Sequence, residues 1–259
     1  MNTDLSGKTA VVTGASKGIG LAISQTLAAT GAHVIAGARH NSPELQALET
    51  GSATFVEADL STPDGPRTLI AAAAGRGGIG VLVNNAGAVT PRFDGILSVT
   101  DEQWQASLAV NFLSAVHTTR EAIPYMLSEG GSIVMIGSVN ATLPEWNIVD
   151  YSATKAALAN FAKSLSKEFG PKGIRVNTIS PGPGSTDLWL SDDGVAAQFA
   201  AASGATPDEI ISSVVAGSAT GRFTTPQEVA DLTAFLVSDQ STNITGADIR
   251  IDGGYVTTL

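Results

Sequence analysis

Seven short runs recur along the chain, and within each nearly every position is apolar. They are Thr9–Thr13, His33–Gly37, Ala53–Ala58, Ile79–Val83, Ser132–Gly137, Ile174–Ile179 and Ala247–Ile251. A strand with one face in water alternates apolar and polar residues, so strands without that alternation are covered on both faces. Segments of helical length lie between them: one from the glycine turn after the first run to about Thr30, then Asp101–Leu127, Val149–Phe169 and Pro226–Val237. Strands alternating with helices imply crossover connections and hence parallel pairing. The predicted fold is α/β, a doubly wound, seven-stranded parallel sheet with helices on both faces. Ligands of such sheets bind beyond the carboxyl ends of the strands.

With 259 residues, 43% of them hydrophobic, the chain is long enough for one large domain with a sizeable core. It contains no long Pro/Ser linker, repeat or low-complexity tract. The one irregular stretch is Pro181–Gly221, too long for an ordinary connection. Within it Leu188, Trp189, Leu190, Phe199, Ile210 and Ile211 predict short helices that cover something. The expected organisation is a single domain over residues 1–259, with a lid at about 183–221. Asp and Glu outnumber Lys and Arg by 24 to 14, a net charge of −10 that repels a polyphosphate backbone and argues against nucleic-acid binding. No cysteine is present, which removes disulfides, thiolate nucleophiles and cysteine-ligated metals. Met1-Asn2-Thr3-Asp4 lacks the layout of a signal peptide, and no apolar run approaches the ~20 residues of a membrane span. A soluble, cytoplasmic protein without membrane contact is expected.

The first run leads into Thr13-Gly14-Ala15-Ser16-Lys17-Gly18-Ile19-Gly20 and then a helix. Glycines at such a turn let the backbone approach a pyrophosphate, which rests on the free N–H groups and positive dipole end of the helix. The same residues satisfy G-x-S-x-G, the nucleophile elbow of serine hydrolases. A hydrolase then needs a histidine after the serine. Of the three histidines, His33 and His40 belong to the second strand and its exit, and His117 lies mid-helix with no turn signal around it. Dinucleotide binding is the better reading.

Tyr151-Ser152-Ala153-Thr154-Lys155 opens a helix, so Tyr151 and Lys155 stand one turn apart on one face. Thirteen residues upstream Ser138 ends the fifth strand, at the edge where ligands bind. The glycine loop, Asn84-Asn85-Ala86-Gly87, Ser138, Tyr151-x-x-x-Lys155 and Pro181-Gly182 follow one another in a single order. As a set they closely resemble the short-chain dehydrogenase/reductase family, from Lys8 to Asp252-Gly253-Gly254.

That resemblance implies a Rossmann-like domain that transfers a hydride between a nicotinamide cofactor and a ketone or secondary alcohol. It implies Tyr151 as proton donor, Ser138 binding the carbonyl oxygen and Lys155 bonding the nicotinamide ribose. Asn111, in the long central helix, would hold a water linking Lys155 to solvent. Tyrosine has a free pKa of about 10, and a nearby ammonium, joined by the oxidised nicotinamide, would lower it. For the cofactor the resemblance implies Gly14, Ser16, Lys17, Gly18, Ile19 and Gly20 at the phosphates and Asp59-Leu60 at the adenine. Asn85, Ala86 and Gly87 would lie beside the adenosine ribose, and Pro181, Gly182, Gly184 and Thr186 at the nicotinamide. Family members often carry a branched apolar residue where this chain has Gly184. A homotetramer, built through the two long helices and the last strand, is also implied.

An NAD enzyme places a carboxylate at the end of the second strand to accept the ribose 2′-hydroxyl. Here that position is Ala38, and no Asp or Glu occurs between Asp4 and Glu44. Arg39 follows at once and Lys17 stands in the glycine loop, so NADP(H) is expected over NAD. No Lys or Arg occurs from Glu121 to Thr154, or from Val176 to Gly221. Those stretches include the expected pocket wall and lid, which favours a neutral, fairly apolar substrate. Two alternatives stand beside a carbonyl reductase. One is a non-catalytic dinucleotide sensor, which usually loses the tyrosine or lysine kept here. The other is a 3-oxoacyl thioester reductase, which tends to have basic residues at the end of the long helix, where this chain reads Met126-Leu127-Ser128-Glu129-Gly130.

Overall fold

The computed structural model describes residues 3–258 and turns the apolar runs into seven parallel strands in the order β3-β2-β1-β4-β5-β6-β7. In chain order the elements begin β1 (Thr9–Thr13), α1 (Gly18–Ala29), β2 (His33–Ala38), α2 (Pro43–Leu48), β3 (Ala53–Glu57), α3 (Asp64–Ala74) and β4 (Val81–Asn84). They continue with α4 (Asp101–Leu108), a π-helical turn (Ala109–Leu113), α5 (Ser114–Ala122), β5 (Gly131–Ile136), α6 (Val149–Phe169) and β6 (Ile174–Pro181). The chain ends with α7 (Asp187–Leu190), α8 (Val195–Ser203), α9 (Pro207–Ala216), α10 (Pro226–Val237) and β7 (Asp248–Ile251).

Side chains alternate across the sheet, which splits the core in two. Ala10 and Val12 of β1, Val81 and Val83 of β4, and Val134 and Ile136 of β5 pack with Ile23 and Leu27 of α1 and Val229 and Leu236 of α10. Val11, Leu82, Ile133 and Met135 pack on the other face with Leu69 of α3, Ala115 of α5 and Leu158 of α6. Apolar burial contributes about 25 cal/mol per Å² on either face, so a central strand has no polar side to turn outward.

The sheet grows from β1 to β3 in one direction and from β4 to β7 in the other. The connections after β1 and β4 therefore leave on opposite faces, and a crevice opens between them at the carboxyl edge.

Two departures from expectation have physical causes. The Asp101–Leu127 segment is not one helix: a π turn interrupts it at Ala109–Leu113, and it closes at Ala122 just before a 3₁₀ turn containing Pro124. Its last turn thus carries the exposed Arg120 rather than Met126–Gly130. α2 and α3 are not expected from the sequence, because Ser42-Pro43 and Asp64-Gly65-Pro66 combine helix-start and turn chemistry. The irregular stretch does hold three short helices, α7 to α9. Two aromatic pairs fasten the first two: in α8 Phe199 meets Phe93 edge-on at 5.1 Å, and in α7 Trp189 meets Phe223 at 5.6 Å. Among the described residues no helix is long and apolar enough to cross a membrane.

Candidate active site

The glycine loop is shaped by backbone crowding. Gly14 and Gly18 have φ of +64° and +54°, in the left-handed region that only glycine adopts freely. A Cβ on Gly14 would lie 3.0 Å from Asn85 Nδ2 and 3.1 Å from Ala86 Cα. A Cβ on Gly20 would collide with the Gly14 carbonyl and stand 2.5 Å from Asn85 Nδ2. Lys17 opens α1 without a side-chain acceptor, so it caps none of the first-turn N–H groups. This is the cradle a diphosphate requires, and the residues present fit one. Ser16 and Ile19 are half-buried in it, Ile19 against the core. Lys17 itself is exposed and lines a cleft with Val89, Asp187, Leu188, Asp193 and Gln198.

Thr13, which the sequence reading passed over as a strand residue, ties the two halves of the crevice together. Its hydroxyl accepts from the N–H groups of Asn85 (2.8 Å) and Ala86 (3.0 Å). Asn85 returns the contact, its Nδ2 donating to the carbonyls of Thr13 (2.9 Å) and Gly14 (3.2 Å). The Asn85 side chain is thus committed to the loop, leaving Ala86 and Gly87 as the backbone that lines the crevice. The only signal for Thr13 in the sequence was its place before Gly14.

At the end of β2, Ala38 is buried and Arg39 exposed. Ala38 pairs with Glu57 in register, and the Ala58 N–H donates to the Ala38 carbonyl at 2.9 Å, bringing the two strand ends together. Asp59 accepts from the Ser61 hydroxyl at 2.7 Å and its N–H at 3.0 Å. These bonds, with a smaller contribution from the Arg39 charge, hold its carboxyl below the usual range. Leu60 is buried beside it.

Four residues converge past β4 and β5. Asn111 sits in the π turn, a widening that is frequent at functional sites. Its Oδ1 accepts from the Ala88 N–H and its Nδ2 donates to the Ala88 carbonyl, both at 2.9 Å. A Cβ on Gly87 would lie 3.0 Å from Asn111 Oδ1 and 3.4 Å from Lys155 Nζ, so only glycine leaves both polar groups room. Lys155 is buried, 3% exposed, and donates to the Ile136 carbonyl at 2.8 Å. Burial brings its ammonium down to about 8. Its Nζ stands 5.6 Å from the centroid of the Tyr151 ring.

Burial raises the Tyr151 phenol above its ordinary value, and a hydrogen bond with Ser138 opposes the rise. The expected depression by a neighbouring ammonium is not seen: desolvation sets the direction in the protein alone, and Ser138, not Lys155, opposes it. Ser138 lies just past β5, capping a 3₁₀ turn; its hydroxyl donates to Asn140 Oδ1 and accepts from the Asn140 N–H, both at 3.1 Å.

Pro181 ends β6, and a Cβ on Gly182 would lie 2.9 Å from Asp252 Cα. Gly184 forms a lone bridge to Thr224. Thr186 precedes α7 and faces Gly18, where a Cβ would be 3.6 Å from its methyl group. Of these residues, Thr186 comes up against the glycine loop.

The pocket wall also holds a cation that the run without Lys or Arg had not suggested. Arg92, from the connection after β4, pairs with Asp150 at 2.9 Å, the two side chains 13% and 3% exposed. The wall is not free of guanidinium, although this one already has its carboxylate. Tyr255 packs on Gly217 after α9, and burial together with the Glu145 charge raises its phenol.

A parallel sheet with a crevice at its switch point, a glycine cradle and a cluster of buried Ser138 and Lys155 with half-buried Tyr151 define a dinucleotide-dependent oxidoreductase architecture. Residues 14–256 match the family model described as enoyl-(acyl carrier protein) reductase. D-beta-hydroxybutyrate dehydrogenase of Rhizobium meliloti is 34% identical over 96% of this chain and 98% of its own. The 3-oxoacyl-acyl-carrier-protein reductase FabG of Escherichia coli is 35% identical over 96% and 97%. The solved structure of L-sorbose reductase from Gluconobacter frateurii, complexed with NADPH and L-sorbose, superposes with a TM-score of 0.91 at 34% identity, covering 100% of both chains. The chain belongs to the short-chain dehydrogenase/reductase family, as an oxidoreductase of that family.

Proposed function

We propose that the protein is an NADPH-dependent carbonyl reductase acting on neutral ketones, reversible toward secondary alcohols, in a single domain whose 183–221 segment serves as the lid. The convergence of Ser138, Tyr151, Lys155 and Asn111 beside the glycine cradle is the observation that carries this reading. When bound, the nicotinamide supplies a hydride to the carbonyl carbon. The protein's task is to hold the carbonyl oxygen and to neutralise the alkoxide that forms on it. Ser138 turns its hydroxyl from Asn140 Oδ1 to donate a hydrogen bond to that oxygen, and Tyr151 gives it a proton, yielding the alcohol. A phenol held above its ordinary pKa keeps its proton until the alkoxide develops. Lys155 lies within reach of both Tyr151 and the ribose side of the crevice, and Asn111 holds the Ala88 peptide that borders it.

The glycine loop, with Gly14, Ser16, Gly18, Ile19 and Gly20, would hold the diphosphate, and Asp59-Leu60 the adenine. Ala86 and Gly87 would border the adenosine ribose, with Asn85 bracing the loop, and Pro181, Gly182, Gly184 and Thr186 the nicotinamide. Arg39 and Lys17 supply the positive charge for a 2′-phosphate, and the absence of a carboxylate at Ala38 supports NADPH over NADH. Neutrality of the substrate is supported by the acidic 183–221 segment and by Arg92 being engaged with Asp150. A buried anionic group without a partner costs several kcal/mol.

A 3-oxoacyl thioester reductase is the second reading, favoured by the likeness to FabG and by Arg120 in the last turn of α5. For assembly we propose a cytoplasmic homotetramer; Leu108 and Leu113, 36% and 38% exposed on the α4 side, offer the apolar surface. A monomer mass by light scattering would refute it.

One assay tests the whole reading: a panel of ketones built as methyl-ester and free-acid pairs, with a 3-oxoacyl thioester, each run with NADPH and NADH on wild type and Tyr151→Phe. Esters should exceed acids by at least ~10²-fold in kcat/KM. Tyr151→Phe should lose at least ~10²-fold in kcat while still binding cofactor. Turnover retained by Tyr151→Phe sinks the mechanism, and free acids reduced as well as esters sink the neutral-substrate reading.

A further inference from the structure

The start of α6 carries Tyr151 but has no cap of its own. Ile148 precedes the helix and provides no side-chain acceptor. Asp150, only 2% exposed, provides one from within the first turn: its Oδ1 accepts the Tyr151 N–H at 3.0 Å. Its other oxygen accepts from Arg92 Nη2 at 2.9 Å. Arg92 grips the same helix start a second time, its own N–H donating to the Asn147 carbonyl at 2.6 Å. One residue of the connection after β4 thus holds the segment before Tyr151 by its backbone and the segment bearing Tyr151 by its side chain.

Stability alone does not account for this arrangement. Taking an arginine and an aspartate out of water costs about as much as their attraction returns unless every remaining donor is satisfied. Arg92 Nε is buried without a partner. A pair of packed apolar residues would hold the two elements together at least as well. What the ion pair supplies, and an apolar contact does not, is direction: a carboxylate fixed from one side presents its second oxygen to a particular peptide.

We infer that Arg92 and Asp150 are positioning residues that set the first turn of α6, and with it the Tyr151 side chain, against Ser138 across the crevice. The inference rests on the reading of Tyr151 as proton donor. Neither residue touches the reacting atoms. A misplacement of about 1 Å at a reacting group costs roughly 10²-fold in rate, so an anchor at this point is felt in kcat before anything else.

The test compares Arg92→Leu, Asp150→Asn and the double variant, using the panel ester that the wild type reduces fastest. Arg92→Leu strands a buried carboxylate beside Tyr151 and should lower kcat by about 10- to 10²-fold, with the NADPH dissociation constant unchanged within about two-fold. Asp150→Asn keeps an oxygen for the Tyr151 N–H and should lose less. The double variant should resemble Asp150→Asn, because removing both charges removes the stranded one; simple loss of packing would make the two effects add. If Arg92→Leu fails to fold, the double variant against wild type carries the test, and a fall in kcat above about two-fold that the NADPH dissociation constant does not share supports the inference. Additive losses, unchanged kcat in folded variants, or a fall in NADPH affinity matching the fall in kcat would overturn it. The parent reading fails separately, through turnover retained by Tyr151→Phe.

Discussion

The two walls of the crevice achieve rigidity by different means. On the β1 side the shape is set by backbone: two glycines with positive φ, a third whose Cβ has no room, and Thr13 and Asn85 exchanging four bonds with main-chain groups. On the α6 side the shape is set by side chains, the Arg92–Asp150 pair, Asn111 on Ala88 and Lys155 on the Ile136 carbonyl. The difference matches what each wall would meet. A diphosphate offers oxygens that N–H groups of any sequence can bind, provided nothing stands in the way. A reacting carbonyl demands particular functional groups at particular points, and those have to be held by other side chains.

The largest effect expected from breaking this division is on the backbone wall. Gly20→Ala places a methyl group against the Gly14 carbonyl and Asn85 Nδ2. NADPH affinity should fall by at least ~10²-fold and stability by about 1–3 kcal/mol, as for other overpacked sites. Fluorescence titration and denaturant melts measure the two losses; an affinity within a few-fold of wild type would show that the loop tolerates what its geometry forbids.

Cofactor choice should respond next, since it depends on charge at the rim rather than on shape. Ala38→Asp with Arg39→Ile installs a ribose acceptor and deletes one cation. The NADPH/NADH preference should move by up to ~10²-fold toward NADH, incompletely because Lys17 remains. A wild-type protein that already binds NADH more tightly would overturn the NADPH assignment.

The smallest effect belongs to the side-chain wall and is read through pH. Lys155 falls on folding to about 8, from an unfolded value near 10.4. Between those values the unfolded chain holds more protons than the native one, so this residue makes stability rise with pH, and the cost of burying its charge is greatest below 8. From pH 8 to 10 wild type should gain about 2 kcal/mol relative to Lys155→Met. Tyr151 has the opposite sign: its raised folded value favours the native state below the unfolded pKa and is lost as pH rises through the folded one, so the melts stop at pH 10. Parallel stability curves for the two proteins would mean that Lys155 is solvated after all.

Much of this was legible in the residues. The strands announced themselves because a central parallel strand has no solvent face, so its period vanishes into a continuous apolar run. The glycine loop and Tyr151-x-x-x-Lys155 were legible because each compresses its geometry into eight or fewer consecutive positions. Thr13 and Arg92 were not, since each acts on residues more than fifty positions away. A threonine in a strand and an arginine in a loop look ordinary until the partner arrives.

What the sequence by itself determined is the layered sheet, the crevice at its switch point and the residue types that border it. These follow from local periodicity and from motifs shorter than one supersecondary unit. The tertiary structure alone decided how those residues are held. It widened the helix under Asn111 into a π turn, closed α5 ahead of Pro124, and brought Arg92 to Asp150 across 58 positions of chain. Such contacts depend on where whole elements pack, and the hydrophobic effect that packs them is blind to direction. Direction comes from hydrogen bonds and ion pairs, whose partners meet only once the fold exists.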